Sequence, residues 1–261
     1  MTTETTTQGN GTDGRTRSAL LLSLLLGAAL AALVALAGMA REAHATFPGT
    51  NGKLVFISQR TTGTGVDNPT GDSEIFSINP DGTGLRQLTN NTKDDREPVL
   101  SPDGKKVAYE SQGDPTSSPG GDQEIYLMNA SDGSDKKNLS NNLSAGEFAP
   151  VFSSDGTKIA YASSGVQTSN SQDDSEVYTM SALDGSGKKN LTNNGAGVSE
   201  SYPLFSPNGK KVAYTSQGKQ VSNPEGDYEV YRMNTLDGSG KRNLTNDAGY
   251  DYNPDWGVQA M

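Results

Sequence analysis

Carboxylates are the side chains of this sequence that could do chemistry, and they recur in register. Asp95, Glu147, Glu200 and Asp251 each stand three residues before a proline, at Pro98, Pro150, Pro203 and Pro254. A second set keeps the same beat in pairs spaced by two: Asp72 and Glu74, Asp122 and Glu124, Asp174 and Glu176, Asp227 and Glu229. Oxygen ligands from several segments suit a hard cation such as Ca2+, and paired carboxylates suit glycoside hydrolysis. Most other chemistry is closed. The chain has no cysteine, and its one histidine, His44, lies in the N-terminal leader. Ser-His-Asp and Cys-His nucleophiles, His-ligated metals and disulfides are therefore excluded from the mature part. Neither a Gly-x-Ser-x-Gly elbow nor a phosphate-binding loop occurs.

The acids keep time because the whole chain does. The turns Asn51-Gly52-Lys53, Asp103-Gly104-Lys105, Asp155-Gly156-Thr157 and Asn208-Gly209-Lys210 return about every 52 residues. Leu88-Thr89-Asn90, Leu139-Ser140-Asn141, Leu191-Thr192-Asn193 and Leu244-Thr245-Asn246 close the blocks. A fixed period of this length means a stacked or ringed array. Each block reads as four short strands; in the second these are 97–101, 105–111, 124–129 and 136–140, rich in β-branched and aromatic residues between Pro, Asp and Gly clusters. No window sustains a helical period, so the chain is all-β. Four-stranded units around an axis are the blades of a β-propeller. Repeat one begins on its second strand, at Lys53-Leu54-Val55-Phe56, while Tyr252-Asn253-Pro254-Asp255-Trp256 repeats a first strand at the C-terminus. The expectation is four blades over residues 46–257, closed by the C-terminal strand joining blade one, with a tail at 258–261. Such closure leaves no sheet edge exposed. A monomer follows, and two chains pairing into an eight-bladed ring is the alternative.

First strands of a propeller lie nearest the axis, which places Asp95, Glu147, Glu200 and Asp251 at one channel mouth. They are the expected ligand-binding residues and the expected Ca2+ ligands if a cation binds. The competing reading is architectural: each carboxylate caps its own loop or bonds to a neighbouring blade. Asp72, Glu74, Asp122, Glu124, Asp174, Glu176, Asp227 and Glu229 form a secondary acidic rim at the same end. The loops 60–73, 112–123, 163–175 and 217–228 differ freely from one another, and binding differences belong on such loops. Phe56, Tyr109, Tyr161 and Tyr214, with Phe76, Tyr126, Tyr178 and Tyr231, repeat at strand positions that predict stacking between blades. Trp256 takes the core position of Leu100, Phe152 and Phe205, while Tyr250 and Tyr252 are placed to face a ligand. The sequons at Asn138, Asn190 and Asn243 follow from the repeat and read as strand ends.

The run Pro203-Leu204-Phe205-Ser206-Pro207-Asn208-Gly209-Lys210-Lys211-Val212-Ala213-Tyr214, followed by Glu229-Val230-Tyr231-Arg232-Met233-Asn234 and Lys241-Arg242-Asn243-Leu244-Thr245, resembles the propeller repeat of TolB-type proteins. The resemblance spans residues 51–257 and implies a propeller that binds other molecules. Propellers of that family usually have six or more blades, and TolB itself carries an α/β domain before its propeller. Few residues separate the leader from the first strand here, so the resemblance does not extend to the Tol-Pal role. The adjacent Asp103-Gly104 and Asp155-Gly156 also lack the intervening residue of sialidase Asp boxes.

Residues 1–17 are polar and end in Arg15 and Arg17, residues 19–40 are almost wholly apolar, and Ala43-His44-Ala45 offers a small-x-small cleavage site. The expectation is a signal peptide over 1–45 and a secreted, periplasmic or cell-surface product. Residues 19–40 are also long enough to anchor the chain in a membrane if left uncleaved. Three basic and three acidic residues precede Thr46, so 18 basic residues face 28 acidic ones thereafter and the net charge stays at −10. That balance argues against a nucleic-acid partner, because neutralising phosphate needs a basic face. The expected function is non-enzymatic binding of a protein, peptide or glycan on the acidic, loop-bearing face; a carboxylate-dependent glycan-active enzyme is the alternative. Repetition argues against the latter, since catalytic acids need dissimilar environments.

Overall fold

The computed structural model describes residues 52–113, 121–142, 145–164, 174–194, 197–218 and 222–257. The leader with its cleavage site, the centres of three long loops and the tail at 258–261 lie outside them. Among the described residues no helix is long and apolar enough to cross a membrane. Residues Gly49–Met261 form one compact unit.

Fifteen strands among the described residues make four antiparallel sheets in chain order. Blade one holds β1 (Leu54–Ser58), β2 (Glu74–Ile78) and β3 (Arg86–Gln87). Blade two holds β4 (Asp95–Leu100), β5 (Lys106–Ser111), β6 (Glu124–Asn129) and β7 (Lys137–Asn138). Blade three holds β8 (Glu147–Phe152), β9 (Lys158–Ser163), β10 (Glu176–Ser181) and β11 (Lys189–Asn190). Blade four holds β12 (Ser199–Phe205), β13 (Lys211–Gln217), β14 (Tyr228–Asn234) and β15 (Arg242–Asn243). Asn138, Asn190 and Asn243 end their strands, as the repeat predicts.

Each first strand carries a bulge at its proline. Glu97, Ala149 and Tyr202 adopt positive φ of 49°, 53° and 49°. The register with the second strand slips there, between Arg96 and Val99, Phe148 and Val151, and Ser201 and Leu204. Proline lacks the N–H that regular pairing would need, and the bulge removes that need.

The core lies between blades rather than within one sheet. Ile75, Leu88, Val107 and Met128 pack where blades one and two meet; Ile125, Leu139, Ile159 and Met180 occupy the next junction, and Val177, Leu191, Val212 and Met233 the third. All are buried. Burying side chains of this size stabilises by about 1.5–3 kcal/mol each. The turn glycines Gly133, Gly185 and Gly238 seat each junction: their φ is 71–73°, and a Cβ would collide with the carbonyls of Leu88, Leu139 and Leu191 of the preceding blade. The aromatic ladder does not stack between blades as expected. Phe56–Phe76, Tyr109–Tyr126, Tyr161–Tyr178 and Tyr214–Tyr231 are cross-strand partners within a blade, with centroids 5.6–5.9 Å apart. Directly opposite residues of an antiparallel pair share a face, which brings their rings together before any neighbouring blade can.

The expected closing strand is not made. Among the described residues blade one has three strands, and Tyr252–Gly257 pairs with none of them. Packing runs in sequence: β4 lies on β1 and β2, β8 on β4, β5 and β6, and β12 on β8, β9 and β10. No comparable packing joins blade one to blade four among the described residues. The C-terminal segment instead stays on blade four, where the Asp251 N–H bonds to the Tyr228 carbonyl (2.7 Å) and the half-buried Trp256 indole N–H to the Leu204 carbonyl (3.2 Å).

Candidate functional site

The structure brings the two acidic sets together. The first-strand acid is tethered by its own N–H to the residue preceding the glutamate of the blade before: Asp95 to Ser73, Glu147 to Gln123, Glu200 to Ser175 and Asp251 to Tyr228, at 2.7–2.8 Å. Strand β4 starts at Asp95, two residues earlier than the sequence suggests, so the acid opens the strand instead of preceding it. Asp95, Glu147 and Glu200 are fully buried, and Asp251 is half-buried. Nor do the residues of the second set form a solvated rim. Glu74, Glu124, Glu176, Glu229 and Asp174 are buried, and Asp72, Asp122 and Asp227 are half-buried.

The hydroxyl that closes each repeat holds the glutamate down. Ser140, Thr192 and Thr245 donate to Glu124, Glu176 and Glu229, and the same oxygens accept the N–H of Ile125, Val177 and Val230 at 2.8–3.1 Å. In blade one Thr89 Oγ1 accepts the Ile75 N–H (2.8 Å). Amides then serve the first-strand acids. Asn91 donates to Asp95 (2.7 Å), Asn142 to Glu147 (3.2 Å) and Asn194 to Glu200 (2.6 Å), while Ser163 and Ser216 add bonds of 2.7 and 2.9 Å to Glu147 and Glu200. The Leu-Thr/Ser-Asn signature thus has a polar task that periodicity alone does not disclose.

Two carboxyls in one buried site cannot both ionise freely. Burial first, and then the Glu124 charge, pushes Glu147 up to about 9; burial and then the Glu176 charge do the same for Glu200. Burial raises Glu74 to about 8 and Asp95 to about 6, and it also raises Glu124 and Glu176. At neutral pH Glu74, Glu147 and Glu200 therefore favour the protonated form. A further buried acid, Glu110, belongs to no repeat position. It accepts the Ala149 N–H at the β8 bulge (2.6 Å), and burial raises it to about 7.

The fourth junction departs from the other three. Asp247 occupies the place of Asn91, Asn142 and Asn194, so a third carboxylate replaces an amide donor. Carboxylate oxygens of Glu229, Asp247 and Asp251 lie within 4.8 Å of one another, the geometry of a hard-cation site. Beside this cluster Phe148, Ser201, Tyr202, Thr215, Tyr228, Tyr250 and Tyr252 line an open groove of about 640 Å³. The rings of Tyr228 and Tyr250 are tilted by 52° with centroids 5.8 Å apart, and Tyr250 and Tyr252 are 70% and 61% exposed. Sequence reasoning marked Tyr250 and Tyr252 but missed Tyr228 and Phe148, whose convergence depends on the stacking of blades three and four.

A curated TolB homologue from Chlorobium chlorochromatii is 29% identical over 174 residues, covering 64% of this chain and 33% of that protein. The crystal structure of TolB from Acinetobacter baumannii superposes with a TM-score of 0.57 at 22% identity, over 78% of this chain and 44% of the other. The repeats are similar to TolB propeller blades. The chain spans about a third of the curated TolB homologue and less than half of the Acinetobacter TolB. An oligogalacturonate lyase from Vibrio parahaemolyticus shares the fold at a TM-score of 0.52 and 17% identity, over 75% of this chain and 51% of the lyase. No family model matches the chain.

Proposed function

We propose that this chain is an extracytoplasmic, non-enzymatic binding propeller that takes a protein or peptide ligand in the tyrosine groove of blade four. One observation carries the reading. At three of the four junctions the first-strand acid and the glutamate of the preceding blade are buried together, while the groove beside the fourth is lined mainly by tyrosines, two of them well exposed. Tyrosines of this kind supply large contact area with few rotatable bonds and a polar tip, which suits polypeptide recognition. The apolar, export-like leader and the resemblance to TolB support a place outside the cytoplasm. Within this reading Ca2+ binds at Glu229, Asp247 and Asp251, next to the groove.

The test is capture of partners from the envelope fraction of the source by the native chain and by Tyr202→Ala/Tyr250→Ala. A polypeptide retained by the first and lost by the second supports the proposal; equal retention overturns it. A glycan panel run in parallel separates the other readings: saturable glycan binding replaces the ligand class, and turnover restores the glycan-active enzyme.

A further inference from the structure

The segment Tyr252–Trp256 is a first strand without a sheet. Asn253 holds φ at 56°, the bulge conformation of Glu97, Ala149 and Tyr202, and Asp251 makes the same backbone tether as the other three first-strand acids. Among the described residues no strand pairs with it. At the other end of the run of blades, β1 is paired among the described residues with β2 alone, and its Leu54 and Ile57 are 54% and 42% exposed. An open edge of this kind is a template for another strand.

The repeat fixes how the two would pair. In blade two Asp95, Arg96, Val99 and Leu100 face Ser111, Glu110, Ala108 and Val107. The equivalent register sets Asp251 against Ser58, Tyr252 against Ile57 and Trp256 against Leu54. The chemistry agrees with the register. Exposed Tyr252 meets exposed Ile57, and the half-buried indole meets exposed Leu54. Asp251 Oδ2 has no hydrogen-bond partner, whereas Glu147 and Glu200 accept bonds from Ser163 and Ser216 on the adjacent strand. Ser58 is the matching donor.

Within one chain these complementary edges sit at opposite ends of an open series of blades. We infer that the segment Tyr252–Trp256 of one chain pairs with β1 of a second copy, and reciprocally, so that two chains complete a ring of eight blades. A head-to-tail contact closes when its rotation completes the circle, and eight blades lies within the range propellers use.

The absence of native cysteine makes a crosslinking test clean. Ile57→Cys and Tyr252→Cys, carried on separate full-length chains and co-expressed, are expected to give a disulfide-linked species of twice the chain mass. No such species in the mixture overturns the inference, whether or not the doubly substituted chain crosslinks within itself. Native mass spectrometry of the unsubstituted full chain gives a reading free of any folding defect. A dimer that Ile57→Lys converts to monomer is expected; a monomeric parent overturns the inference.

Discussion

Glu147 on β8 and Glu124 on β6 of the preceding blade face each other in one buried site, and the Glu124 charge adds to burial in raising Glu147 to about 9. The Glu176–Glu200 junction repeats the arrangement. Each of these seams therefore buries a carboxyl that keeps its proton at neutral pH, with direct consequences for stability.

Stability falls as pH rises from about 5 to 9. Glu147 and Glu200 keep their protons in the folded chain up to about 9, and Glu74 up to about 8, whereas an ordinary glutamate releases its proton near 4.5. Above 4.5 the folded state thus binds more protons than the unfolded one. The contribution is fully present below that value and is lost as pH approaches the folded values. The melting temperature is expected to decline across this window by about 2–4 °C for each kcal/mol lost. Glu147→Gln, which puts a neutral amide of the same shape in the site and cannot ionise, flattens the decline and stabilises at pH 9 by on the order of 1 kcal/mol.

Thr192→Val removes a hydroxyl that donates to Glu176 and accepts the Val177 N–H (2.8 Å), and it leaves both buried groups short of a partner. The expected loss is about 1–3 kcal/mol, read from the urea midpoint at unchanged m-value.

Gly185→Ala and Gly104→Ala separate contact from conformation. Both glycines have positive φ, 71° and 69°, but a Cβ at Gly185 strikes the Leu139 carbonyl while one at Gly104 meets nothing within 4 Å. Gly104→Ala is expected to cost about 1–2 kcal/mol from backbone conformation alone. Gly185→Ala costs more, because the blade junction must open, and chemical denaturation of the two variants side by side checks the order.

Calcium at millimolar concentration is expected to raise the melting temperature through Glu229, Asp247 and Asp251. Asp247→Asn restores the amide found at the other three junctions and abolishes the shift. A shift that survives the substitution places the ion elsewhere.

Much of this architecture is legible in one dimension. Strand-length apolar runs, Asp-Gly turns and a constant period specify four like units, because pleating and turn chemistry are local and each copy repeats them. Blade assignment, the first-strand prolines and the ends of β7, β11 and β15 follow from residue order alone, whereas the bulges at those prolines do not. The acids were visible by the same logic, as were Tyr250 and Tyr252. Their surroundings were not: whether Glu147 meets water or Glu124 depends on how closely β8 lies on β6, a distance between residues of different repeats. Tyr228 and Phe148 joined the groove for the same reason.

Closure marks the boundary between the two kinds of information. Residue order marks Tyr252–Trp256 as a first-strand repeat, because the Tyr-Asn-Pro pattern is local. That it forms no ladder with β1 among the described residues appears only in three dimensions, because the meeting of two distant segments depends on the packing at every seam between them.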